Sequence, residues 1–262
     1  MIASRTLSAL RRTLLARALL LLAALAAPAA ADLVVTRNVR ADAFVRPGAE
    51  GAASACPARA ERPLSGERVK LSAAPSRARR DEAAVSFIVD LEAGRAFVVD
   101  HRARTWSELA HPVRTSELAG PLRTSLGAEG DKRFPYRLLT QVYESASNRE
   151  GASRVTRAAR VGNGFGTEIE VEVELQPDPA LGPPALAVEA FAQAVRGSGE
   201  SWLRALAPAA GIPLGLAEEL QQPDSTVRYR EAAAATEPAQ LDPALFAPPA
   251  GYTKVEHRPE CF

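Results

Sequence analysis

The segment FIVDLEAGRAFVVDHRARTW, Phe87 to Trp106, nearly repeats itself after ten residues. FIVDLEAGRA lies over FVVDHRARTW, so Phe87 matches Phe97, Val89 matches Val99 and Asp90 matches Asp100. Each copy is a short β-branched apolar run followed by a charged turn. Ten residues per strand and turn is the spacing of an antiparallel meander. An Asp at a strand end accepts a hydrogen bond from a backbone N–H about two residues on and starts the turn. The repeat therefore predicts two successive rungs of one sheet, AVSFIVDL and AFVVDHR, with EAGR between them and TWSEL opening a third. The catalytic alternative uses Asp90 and Asp100 beside His101 as acid and base. It is set aside, because both carboxylates sit at turn positions and the sequence places no nucleophile or substrate clamp nearby.

Working outward, DLVVTRNVRADAFVR (32–46) reads as extended, 47–66 as a Pro, Gly, Ala and Ser loop, and ERVKLSA (67–73) as a strand. TEIEVEVEL, Thr167 to Leu175, alternates without a fault. Glu168, Glu170, Glu172 and Glu174 share one face, and Ile169, Val171, Val173 and Leu175 the other, as only a two-residue period allows. Four carboxylates on one face call for basic neighbours. Arg228 and Arg230, or Arg154 and Arg160, supply such a pair on one strand face. A calcium site fits poorly, since an alternating strand spreads its carboxylates over ~20 Å instead of converging them.

Helix is sparse. PPALAVEAFAQAVRG opens with Pro183 and stops at Gly197, with Leu186, Ala190, Phe191, Ala194 and Val195 on one side. SWLRALAPAAG adds about two turns, and 135–146 is ambiguous between helix and strand. GNGFG (162–166) lacks the following helix that a nucleotide loop needs. GSGES (197–201) does not meet the serine-hydrolase elbow pattern, so Ser198 and Ser201 are weak nucleophile candidates.

The start carries Arg5, Arg11, Arg12 and Arg17, then an uncharged apolar run from Ala18 to Ala27, then APAAA before Asp32. That is the layout of a secretory signal peptide cleaved after Ala31, which predicts a periplasmic or secreted, soluble chain. The whole chain has 32 basic and 31 acidic residues; without those four arginines the formal charge is −3. A mildly acidic chain has no general attraction for nucleic acid. In an oxidising compartment the two cysteines, Cys56 and Cys261, suit one disulfide tying the C-terminal tail to the early loop. No metal or cofactor motif is present in the sequence. The organisation expected is a signal (1–31), an extended segment and loop (32–66), one β-rich domain (67–255) and a short tail (256–262).

The series SFIVDLEAGRAFVVDHRARTWSEL resembles a family of exported bacterial proteins. The pattern is a strand ending in Asp90-Leu91, a turn, a strand ending in Asp100-His101, then Thr105-Trp106. LDPALFAPPAGYTKV looks like the closing motif of that family, through Asp242, Phe246, Pro249, Gly251 and Tyr252. AGIPLG, Ala210 to Gly215, looks like the segment preceding its last strands. These proteins are similar in layout to the outer-membrane lipoprotein carriers, LolA-like and LolB-like. The resemblance covers about residues 67–110 and 210–255; the run from Arg114 to Asn148 and the helix near residue 190 are longer than its pattern requires.

The resemblance implies a mainly β (α+β) fold, a curved antiparallel sheet or incomplete barrel covered by one or two helices, whose concave face holds acyl chains. The candidate inward residues are Phe87, Val89, Phe97, Val99, Trp106, Ile169, Val171, Val173 and Phe191. Three functions follow. A non-enzymatic carrier or sensor would bind a lipid or lipoprotein acyl chain, with transient membrane or envelope-protein contact. An envelope interaction module would have a filled core. A secreted hydrolase would need a nucleophile and base in contact; with only His101, His111 and His257 in the chain, and His101 and His111 read as exposed surface residues, it is the weakest.

Overall fold

A computed structural model describes residues 32–42, 62–110, 139–149, 152–162, 168–196, 202, 205–206, 209–223 and 225–256. The expected signal segment (1–31), Cys56 and Cys261, His111, His257, Ser198, Ser201 and residues 163–166 lie outside the described residues.

Among the described residues twelve strands form one open sheet. They are β1 (Asp32–Ala41), β2 (Arg68–Ala74), β3 (Arg77–Asp81), β4 (Val85–Asp90), β5 (Arg95–Asp100), β6 (Thr105–Ala110), β7 (Leu139–Arg149), β8 (Ala152–Gly162), β9 (Glu168–Gln176), β10 (Ile212–Gln222), β11 (Ser225–Ala239) and β12 (Thr253–Lys254). The order is β12-β6-β5-β4-β3-β2-β1-β11-β10-β9-β8-β7. Every neighbouring pair is antiparallel except β12 with β6, so the sheet is mixed where an antiparallel one was expected. β1, expected as a lead-in before the domain, is a central strand between β2 and β11. The ambiguous 135–146 segment is strand from Leu139, and AGIPLG opens β10.

The sheet is curved. β1 and β10 flank β11, yet their Cα atoms come within 8 Å. Two strand spacings in a flat sheet would separate them by about 9.5 Å. The concave side is covered by α1 (Gly182–Val195), which touches β2, β3, β4 and β10. Prolines in its first turn lack only N–H groups that would be unpaired anyway. Asp178 Oδ1 accepts from the backbone N–H of Ala180 and Leu181 and so prepares the helix start. Two glycines let that start cross the chain entering β10. A Cβ on Gly182 would lie 2.8 Å from Gly211 N, and one on Gly211, whose φ is +140°, 2.4 Å from Gln176 O. Trp202, Ala205 and Leu206 are helical and cover a second part of the concave face, over β8 to β10.

The ten-residue repeat is two rungs, as its spacing predicts. Asp90 Oδ1 accepts from Ala93 N, and Asp100 Oδ1 from Arg102 N and Ala103 N. The repeat does not keep its faces, however. Phe87 pairs with Val98, and Phe97 with Ile88. The four-residue turn Leu91–Gly94 leaves Phe87 and Phe97 one step out of register. One step along a strand is the opposite face.

Candidate functional site

A charged cluster lies sealed between α1 and the sheet. Strand alternation sends Val35, Arg37 and Val39 of β1 inward, together with Ala78 and Arg80 of β3 and Tyr229 and Glu231 of β11. α1 contributes Glu189, and Arg196 follows its last turn. The side chains of Arg37, Arg80, Glu189 and Glu231 are all fully buried. Glu189 accepts from Arg37 Nη2 through one oxygen and from Arg80 Nη1 through the other, the latter at 2.6 Å. Glu231 accepts from both nitrogens of the Arg80 fork and from the Tyr229 hydroxyl at 2.6 Å, and it lies 3.2 Å from Arg37 Nε. Glu82 accepts from Arg80 Nε and from Arg196 Nη2.

Three guanidiniums thus face three carboxylates. Burial works against the charge of Arg80, but Glu189, Glu231 and Glu82 outweigh it and hold the guanidinium protonated. Burial likewise opposes ionisation of Glu231, and Arg80 with Arg37 overcomes it, holding that carboxyl well below the usual range. Burial, then the Glu231 charge, pushes the Tyr229 phenol far up, so it stays a donor. Without α1, the sheet and its flanking turn still pair two arginines, Arg37 and Arg80, with two carboxylates, Glu231 and Glu82. α1 and its end bring one further charge of each sign.

The belt continues on β10. Glu218 accepts from Trp202 Nε1 and from Arg62 Nη2, and the Arg62 guanidinium stacks 4.9 Å over the Tyr229 ring. Two apolar surfaces share this face of the sheet. One runs under α1 through Val35, Leu71, Val85, Phe87, Val89 and Val98. The other gathers Val171, Val173, Leu175 and Leu216 under Trp202 and Leu206.

The nominated inward residues separate accordingly. Phe87, Val89 and Phe191 meet under α1, with the Phe87 and Phe191 rings edge to face at 5.9 Å. Ile169, Val171 and Val173 belong to the second apolar surface. Phe97, Val99 and Trp106 do not share the concave face. The register sends them to the convex side, where they pack with Ile88, Phe246 and Tyr252 beneath the C-terminal tail.

His101 is not a plain surface residue. Its Nε2 lies 2.6 Å from Ser86 Oγ and its Nδ1 3.2 Å from the Tyr252 hydroxyl. Ser86 Oγ also donates to Asp81 Oδ1 and accepts from Arg79 Nη2, and Arg79 Nη1 donates to Leu245 O. Burial first, then Arg79, pushes the His101 pKa down against the opposite pull of Asp81 and Asp100. A serine beside a histidine is the contact a hydrolase needs. Here Ser86 is fully buried beneath the tail, and its hydroxyl is held by a carboxylate and a guanidinium. The arrangement fastens the tail to the convex face.

The Glu row of β9 finds its partners on β8: Arg160 with Glu170 at 2.6 Å, and Arg154 with Glu174 at 3.9 Å. Arg228 pairs instead with Glu219 on β10. The buried charges escape a reading that looks for apolar runs. Their signal is a charged residue in phase with inward positions, as Arg37 stands between Val35 and Val39. No protein-family model matches this chain, and no curated protein matches it.

Proposed function

We propose that this chain is an exported, non-enzymatic binding protein of the cell envelope with a lipoprotein-carrier-like layout. Its ligand is an apolar chain, such as a lipid or lipoprotein acyl chain, taken up between α1 and the concave face. One observation carries the reading: the apolar concave surface is covered by a helix that the sheet does not need for its own charge balance. If α1 lifts, Arg37 and Arg80 keep Glu231 and Glu82 as partners. No net charge is stranded, which is the usual prohibitive cost of opening a buried ion cluster. Phe87, Val89 and Val98 then face the ligand in place of α1.

The second reading is an interaction module with a permanently filled core. The Phe87–Phe191 contact and the complete burial of Val171 and Val173 favour it. Native mass spectrometry of the chain purified from the periplasm without detergent, followed by organic extraction, separates the two. A co-purifying lipid that is lost in Val89→Asp supports the carrier. A bare protein that also ignores added phospholipid and fatty acid leaves the filled core.

A further inference from the structure

The convex face of β9, β10 and β11 carries an unusual ordering of charge. In one row across the strands, Arg230 of β11 pairs with Ala217 of β10, and Ala217 with Glu172 of β9. In the next row the series is Arg228, Glu219, Glu170. β11 is thus the basic flank and β9 the acidic flank of a central strand that offers the half-buried Ala217 between them. Arg230 stands directly opposite Arg40 of β1. Two like charges in register on one face destabilise a sheet, and Arg40, Arg230 and Glu172 are all exposed. None of the three has a hydrogen-bonded or ionic partner among the described residues, whereas Arg154, Arg160 and Arg228 each pair with a Glu. The chain therefore maintains a repulsive pair and an unmatched carboxylate on either side of one small residue.

We propose that this strip is a self-complementary interface for a second copy of the chain. A two-fold axis along β10 through Ala217 lays β11 of one copy over β9 of the other. Arg230 then faces Glu172 of the second copy and the contact occurs twice, as an isologous interface requires, while Arg228 and Glu170 come opposite each other with partners already in their own chain, Glu219 and Arg160. Glu219, which falls on the axis, is already neutralised by Arg228 of its own chain at 2.8 Å. Ala217 carries no bulk to hold the faces apart. The strip lies opposite the concave face, so the inference stands independently of the ligand reading.

The test is sedimentation of the purified chain over a concentration series. A dimer is expected at about 0.1 M salt and its loss at about 1 M, where the Debye length falls from ~10 Å to ~3 Å. Arg230→Glu alone and Glu172→Arg alone each place like charges together, at a cost that weakens association at least about ten-fold. An equimolar mixture of the two variants regains the dimer, because both contacts are again of opposite sign. Unchanged thermal melting of each variant shows that the fold is intact. A chain that stays monomeric at low salt, a dimer indifferent to either reversal, or a mixture that fails to recover overturns the proposal.

Discussion

Arg80 and Glu189 meet at 2.6 Å with neither side chain exposed to solvent. This one contact joins β3 to the middle of α1. It sits in a balanced group of charges, so its strength depends on every partner remaining in place. Removing one member of a buried ion pair costs about 3–5 kcal/mol, because the other charge is left behind. Glu189→Leu should therefore lower stability by that order in a urea titration. Glu189→Gln, which keeps one accepting oxygen for one of the two guanidiniums, should lose less. Equal losses would mean that the charge of Glu189 carries the whole effect and that the amide kept by Gln contributes nothing.

Acid should weaken the fold in two stages. The His101 pKa lies below the 6.5 of a free imidazole, so the unfolded chain takes up that proton first. The contribution of His101 is complete above 6.5 and declines as pH falls toward its folded value. Glu231 is held below its ordinary 4.5, so its contribution is complete above 4.5 and is lost on further acidification. Stability measured against pH should show a shallow fall below neutrality that His101→Gln abolishes. A His101→Gln profile that still falls in that range would place the first stage on another group.

The face reversal within the repeat has a direct consequence. Phe87→Ala and Phe97→Ala each remove a buried ring, at about 3–5 kcal/mol. Their local effects should differ. Phe87 rests on Phe191 of α1, while Phe97 rests on Trp106, with its ring 5.8 Å away, in the cluster that includes Tyr252 of the tail. Limited proteolysis should release the segment around α1 in the first variant and the C-terminal tail in the second. The same cleavage pattern from both would contradict the register.

Much of the sheet was legible because alternation and turn chemistry act locally. The β9 pattern gave a face for each of its residues, and both repeat aspartates start turns. Two things were not legible. The faces of the repeat depend on whether a turn shifts register by one residue, and strand composition is silent on that when both faces are buried. Here Ile88 and Phe87 are both fully covered, one by the tail and one by α1. The charged belt depends on contacts between residues as distant as Arg37 and Glu231, which only the pairing of β1 with β11 brings together. His101 looked like a turn residue because Ser86 and Tyr252 reach it from β4 and from the tail.

Gly211 offers a check on how α1 is seated. Its φ of +140° and its approach to Gln176 O leave no room for a side chain. Gly211→Ala combines backbone strain of about 1–3 kcal/mol with a direct clash. It should depress the melting temperature more than Gly66→Ala, which meets nothing within 4 Å. Similar losses at both sites would place the effect in backbone strain alone, since Gly66 also has positive φ.

Hydrogen exchange followed by mass spectrometry, with and without an added long-chain fatty acid, tests the carrier reading most directly. Entry of an apolar chain beneath α1 predicts that the amides of Gly182–Val195 change their protection on addition while those of β4 and β5 do not. An α1 as slow to exchange as β4 in both conditions would mean that the helix never lifts and that the concave face is simply core.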